Sequence, residues 1–162
     1  MPIDAILWLD GIPGESQRAG YEKWIDLLSF SYGTHNAPSV HPGKGGMAAG
    51  RADLTSFHVA KYTDSSSPIL FESCCTGKHL KMAKVVVQKA GGKMPLAFLK
   101  YDFKDVFIEG LDCTANFRGD VQPGEDLRFV FGSVEISYTP QTNSGGAGSP
   151  IRGSYDVLKG TK

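Results

Sequence analysis

The chain has 162 residues, of which 41% are hydrophobic and 21% charged, which suits one domain with a real core and argues against disorder along its length. Seventeen Lys and Arg balance seventeen Asp and Glu, so the basic surplus that neutralises nucleic-acid phosphates is missing and little repulsion holds copies apart. No apolar run approaches the roughly 20 residues that span a bilayer, and Asp4 with no basic residue before it does not make a secretory signal peptide.

In chain order, Ile3, Ala5, Leu7 and Leu9 alternate as a strand over residues 3–9, which the turn residues Asp10, Gly11, Pro13 and Gly14 end. Residues 24–32 read as a second strand that changes phase midway. Ile25 and Leu27 share one face, and Leu28, Phe30 and Tyr32 share the other, so a bulge is expected between Asp26 and Leu28. With the second set facing the core, Ser29 and Ser31 face away from it. Residues 33–50 follow, broken by Pro38, Pro42, Gly43, Gly45, Gly46 and Gly50. A stretch this long is either a loose insertion or an arm that orders against a partner.

Strand character resumes over residues 54–62. Ser67 then offers a helix cap, Pro68 suits the first helical position, and Gly77 suits a left-handed end, which predicts one short helix over residues 69–76. Further strands are predicted over residues 80–89, 96–109, 111–118 and 127–138, with turns at Gly91-Gly92 and Gly110. In the last of these the apolar phase moves from Leu127, Phe129 and Phe131 to Val134, Ile136 and Tyr138, placing a bulge at Gly132-Ser133. Residues 1–140 thus read as an all-β, mainly antiparallel barrel domain of two sheets with one short flanking α-helix. Residues 141–162 form a Gly- and Ser-rich C-terminal segment, in which residues 141–150 read as a flexible linker and residues 155–158 either add a short edge strand or stay loose.

Catalytic chemistry finds no constellation. Gly77-Lys78 lacks the phosphate-loop pattern, since Glu72 stands where glycine is needed and His79 where Ser or Thr is needed, and the glycines around Lys44 fail likewise. His35, His41, His58 and His79 show no metal-binding spacing. Cys74 and Cys75 read as buried packing residues of the helix. Three cysteines make no disulfide framework, so synthesis in a reducing cytoplasm is expected. Asp102 with Asp105, and Glu125 with Asp126, read as ordinary turn and strand-edge charges. No enzyme activity, cofactor or metal is assigned.

Several segments together resemble the haemolysin-coregulated protein (Hcp) family, the tube subunits of bacterial type VI secretion systems. They are Leu-Asp-Gly-Ile-Pro-Gly-Glu-Ser at 9–16, Trp-Ile-Asp-Leu-Leu-Ser-Phe-Ser-Tyr-Gly at 24–33, and Ser-Pro-Ile-Leu-Phe-Glu-Ser-Cys-Cys-Thr-Gly-Lys-His at 67–79. Val-Gln-Lys-Ala-Gly-Gly at 87–92, Glu-Ile-Ser-Tyr-Thr-Pro-Gln at 135–141 and Tyr-Asp-Val at 155–157 complete the set. The likeness runs in order over nearly the whole chain and is interrupted at residues 116–126.

The resemblance implies a barrel that closes into hexameric rings, which stack into a hollow tube. A contractile sheath with its spike expels that tube, and effector cargo travels in the lumen. It implies export without a signal peptide, and it makes residues 33–53 the extended loop that reaches the next ring, with His35, His41, Lys44, Gly45, Gly46 and Arg51 as candidate stacking residues. Ser29 and Ser31 are then candidates for the lumen lining, or plain solvent-exposed positions. The alternative function is a soluble barrel that binds a small ligand or glycan in its mouth.

Overall fold

A computed structural model describes residues 2–40, 47–89, 95–119 and 122–162, with only the backbone of 39, 40, 47 and 48. The elements are β1 (Ile3–Leu9), β2 (Ile25–Leu27), β3 (Ser29–Ser31), β4 (Thr34–Asn36), β5 (Ser39–Val40), β6 (Met47–Ala48), β7 (Ala52–Leu54), β8 (Phe57–Tyr62), α1 (Ser67–Thr76), β9 (His79–Lys89), β10 (Leu96–Thr114), β11 (Gly124–Tyr138) and β12 (Ile151–Asp156). The predicted all-β architecture with one flanking helix is what forms. An eight-stranded antiparallel sheet runs β2-β1-β9-β10-β11-β8-β3, with β12 added beside β11. The helix is too short to cross a membrane.

The phase change expected near Leu28 is a change of partner. β2 pairs with β1 and β3 pairs with β8, so two strands at opposite ends of the sheet are separated by Leu28 alone. The Leu28 amide donates to the Ala60 carbonyl at 2.7 Å, which ties the joint to β8. This nearly closes the sheet into a barrel. Leu28 itself is 56% exposed, contrary to its expected place in the core, because the chain turns over the seam there. Phe30 does pack against the core, stacked on Phe57. Tyr32 stacks on Phe57 too but remains partly exposed.

The long hairpin differs from expectation in an instructive way. β10 continues without a turn through Gly110, and the register shift of the β10–β11 ladder lies between Ile108 and Gly110. The Arg128 side chain crosses close over Gly110, where a Cβ would stand 2.2 Å from Nη2. No register shift occurs at Gly132-Ser133. There both strands change phase together. Phe103 and Val106 are buried on β10, Phe131 and Val134 pack against the core on β11, and Phe103 pairs with Val134 as Val106 pairs with Phe131. Asp105 takes a left-handed φ of 55° at this corner. Because each strand slips by one residue, the register survives while the sheet bends.

The helix starts differently from the prediction. Ser66 occupies the cap position and makes no side-chain cap hydrogen bond, while Gly77 ends the helix in the left-handed region at φ 66° as expected. Ser67 is diverted to a buried ion cluster. Lys61 has no exposed surface, and its ammonium lies 2.8 Å from Glu125 Oε2, 3.0 Å from Asp64 Oδ1, 2.8 Å from the Tyr62 carbonyl and 3.2 Å from Ser67 Oγ. The Ser67 hydroxyl donates to Glu125 at 2.9 Å and accepts the Asp64 amide at 3.0 Å. Glu125 is therefore not an ordinary strand-edge charge. It belongs to a cluster that ties β8, β11 and the start of α1 together.

Removing one member of a buried pair leaves an uncompensated charge. Lys61→Met strands two carboxylates at once and should cost about 3–5 kcal/mol in urea unfolding. Glu125→Gln should cost less, because Asp64 still faces the ammonium. A Lys61→Met protein within about 1 kcal/mol of the parent would contradict this assignment.

Candidate functional site

The breaker-rich stretch after β3 forms a two-stranded ribbon. Thr34 pairs with Leu54, His35 with Asp53 and Asn36 with Ala52, and further out Ser39 pairs with Ala48 and Val40 with Met47. The base is fastened by Gly33 N–H to Thr55 Oγ1 at 2.8 Å and by Asn36 Nδ2 to the Gly50 carbonyl at 2.9 Å. Gly50 is needed there, since a Cβ would lie 2.2 Å from the Ala37 carbonyl oxygen. The predicted strand 54–62 begins later than expected, at Phe57, because Leu54 ends β7, which pairs with β4, while β8 returns to the barrel.

His35 sits exposed on β4, and Arg51 precedes β7 with Nη2 donating to the Val157 carbonyl at 3.4 Å. The two are thus placed together at the ribbon's base. His41, Lys44, Gly45 and Gly46 lie outside the described residues. Ser29 and Ser31 are exposed on β3, on the face opposite Phe30, as their alternation predicts. After β11, residues 140–148 make a hydrogen-bonded turn, with Gly148 N–H to the Pro140 carbonyl at 2.7 Å and Thr142 N–H to the Gly146 carbonyl at 2.8 Å. That turn delivers β12 antiparallel to β11.

Between β12 and the ribbon the barrel is open. This mouth holds a cavity of about 260 Å³ whose wall is almost entirely apolar and includes Tyr32, Leu54, Phe57, Tyr101, Phe131 and Tyr155. Tyr101 Oη donates to Tyr32 Oη at 3.4 Å. Burial, with that hydrogen bond as a smaller cause, pushes the Tyr101 phenol well above its ordinary value. A wall of this kind offers a glycan few hydrogen-bonding groups.

His79 and Asp105 lie 3.2 Å apart, both exposed, with the His79 ring over Phe107. Among the described residues, no three His, Cys, Asp or Glu side chains converge as a metal site would require. Cys74 is half-buried and packs against the core, whereas Cys75 is exposed, which corrects its reading as a buried residue. The helix turns Cys75 and Phe71 together to the outside. The cluster around Lys61 was missed in sequence, although a signal for it exists. Lys61 follows Phe57 and Val59 in the inward phase of β8, and an inward lysine requires a buried acceptor.

The family model described as "Type VI secretion system effector, Hcp" matches residues 6–138. The chain belongs to the Hcp family. It is similar to Protein hcp1 of Pseudomonas aeruginosa, 30% identical over 158 residues, which cover 97% of this chain and 96% of that protein. A solved structure of a type six secretion system protein superposes with a TM-score of 0.93 at 26% identity, covering 99% of both chains. Hcp1 from Salmonella typhimurium follows the same fold with a TM-score of 0.79 at 30% identity, over 100% of this chain and 99% of that one. This Hcp-family chain therefore carries the fold of a type VI secretion protein, and the family is one of structural secretion proteins.

The mouth gives the protein a pH response. An unfolded tyrosine ionises near about pH 10. Because the folded pKa of Tyr101 is raised, its stabilising contribution is complete below that pH and is lost as pH rises toward the folded value. Absorbance titration should find one phenol that resists ionisation until the barrel unfolds, and Tyr101→Phe should remove it. Ionisation of every tyrosine near pH 10 in the folded protein would contradict the buried assignment.

Proposed function

We propose that this Hcp-family protein is a ring and tube subunit. Six copies close into a ring, rings stack into a hollow tube, and the type VI sheath and spike drive that tube out of the cell with effectors in its lumen. The protein is made in the cytoplasm and leaves through the apparatus itself.

Family membership is the observation that carries this reading. The shape of the chain supports it. A nearly closed barrel leaves few free strand edges, that of β12 among them, and such edges are natural interface material. The β4–β7 and β5–β6 ribbon projects at one end, with His35 and Arg51 at its base. His41, Lys44, Gly45 and Gly46 belong to the same candidate stacking loop. Ser29 and Ser31 offer a small polar surface on the outside of β3, suited to a channel past which folded cargo moves without sticking. A ring needs a heterologous contact that closes, and stacking needs a second one that stays open.

Negative-stain microscopy of the purified protein tests this directly. Uniform rings with an open centre, some in stacks, are expected, and a population of compact monomers at micromolar concentration would overturn the reading. Deleting residues 37–49 should leave the barrel folded and the rings intact while impairing stacking. Undiminished tubes from that variant would remove the ribbon from the stacking contact.

A further inference from the structure

β12 closes one side of the barrel mouth with little packing of its own. None of its residues is buried, whereas β9 buries Leu80, Ala83, Val85, Val86, Val87 and Gln88. β12 pairs along one edge only, with residues 133–138 of β11, and β10 holds those same β11 residues from the other side. Detaching β12 therefore breaks one short ladder and leaves the β9-β10-β11 sheet whole.

The strand also fits loosely over what lies beside it. Ile136 pairs with Gly153 and Val134 with Tyr155, so β12 borders the apolar wall that includes Phe103 and Phe131. Gly153 sends no side chain toward that wall. A Cβ built there would meet nothing within 4 Å, and the backbone is not left-handed, so neither crowding nor strain calls for glycine. Glycine inside a strand weakens it through entropy and missing packing. Wall atoms that face the cavity of about 260 Å³ lack the dispersion contacts that would hold the strand down.

The two ends of β12 are fastened by a few local contacts. Before it, the turn over residues 140–148 closes on itself, with Gly148 bonded to Pro140 and Thr142 to Gly146, so the turn does not depend on β12. After it, the Val157 amide donates to the Gly132 carbonyl at 2.7 Å. Leu158 lies against Gly132, where a Cβ would stand 3.0 Å from its Cδ1, yet Leu158 remains exposed. The Val157 carbonyl accepts from Arg51 at the base of the ribbon. This clasp is polar and lies at the surface.

We propose that β12 and residues 157–160 form a strap that swings off β11 about the 140–148 turn while the barrel stays folded. Segments with few buried apolar contacts and exposed hydrogen bonds open at a fraction of the global unfolding free energy. Opening uncovers the β11 edge at residues 133–138 with Phe131, Val134 and Ile136 beside it, and it frees Arg51 from the terminal turn. The strap is a property of the single chain and stands whether or not rings form.

Native-state hydrogen exchange of dilute protein, followed through a series of low urea concentrations, tests this. The Val157 amide and the β12 amides bonded to β11 should exchange at least about a hundredfold faster than the bonded amides of β9 and β10. Their exchange should also depend little on urea, because a local opening exposes little surface. Gly153→Val puts an apolar side chain into the empty space and suits a strand better, so it should slow the β12 amides by roughly tenfold. β12 amides that share the rates and urea dependence of β9 and β10 would mean that the strap opens only with the whole barrel, and the proposal would fall. It would fall equally if β12 exchanged as fast in folded Gly153→Val as in the parent. The comparison within the parent decides the matter by itself if Gly153→Val does not fold.

Discussion

The closure of the barrel through Leu28 is the constraint on which the rest depends. β2 and β3 pair with strands at opposite ends of one sheet path, yet one residue separates them in the chain. That residue turns the path back on itself. Without the joint, β1 and β8 would each present a row of unpaired backbone groups, the usual route to unregulated pairing. With it, the open places are the mouth beside β12, the ribbon from β4 to β7 and the hairpin tip.

The buried cluster around Lys61 serves the same end from inside. Three charged side chains and two serines sit under α1, where an apolar patch of similar volume would give as much stability or more. What the cluster provides is position, because hydrogen-bond geometry fixes α1 against β8 and β11 as apolar contact does not. Lys61 and Glu125 are both buried, so the cluster acts on the packing of the fold. That agrees with a protein of a type VI secretion family.

Local features were legible in the sequence and non-local ones were not. The strand over residues 3–9 and the glycine that ends α1 each depend on a few neighbouring residues and are met in the structure, although Ile3 is exposed and Ile6 is buried against the simple alternation. The phase change at Leu28 was visible, but its cause, a change of partner strand, depends on β1 and β8. Gly110 looks like a turn because glycine usually is one; the Arg128 side chain from the facing strand is what occupies its space. Glu125 looked like an edge charge since its partner lies 64 positions away. For the candidate site, Ser29 and Ser31 were placed on the surface by strand alternation, and His35 and Arg51 were named only through the resemblance. Whether a surface position lines a channel depends on several copies, and no single chain's pattern encodes it.

The central claim is that a closed, rigid barrel associates through its projecting ends. Amide hydrogen exchange on assembled protein, compared with dilute unassembled protein, tests this most directly. Added protection is expected at residues 34–36 and 52–54, with β1 and β9 equally slow in both states. Protection confined to the barrel walls, with those end segments exchanging equally fast in both states, would contradict the account.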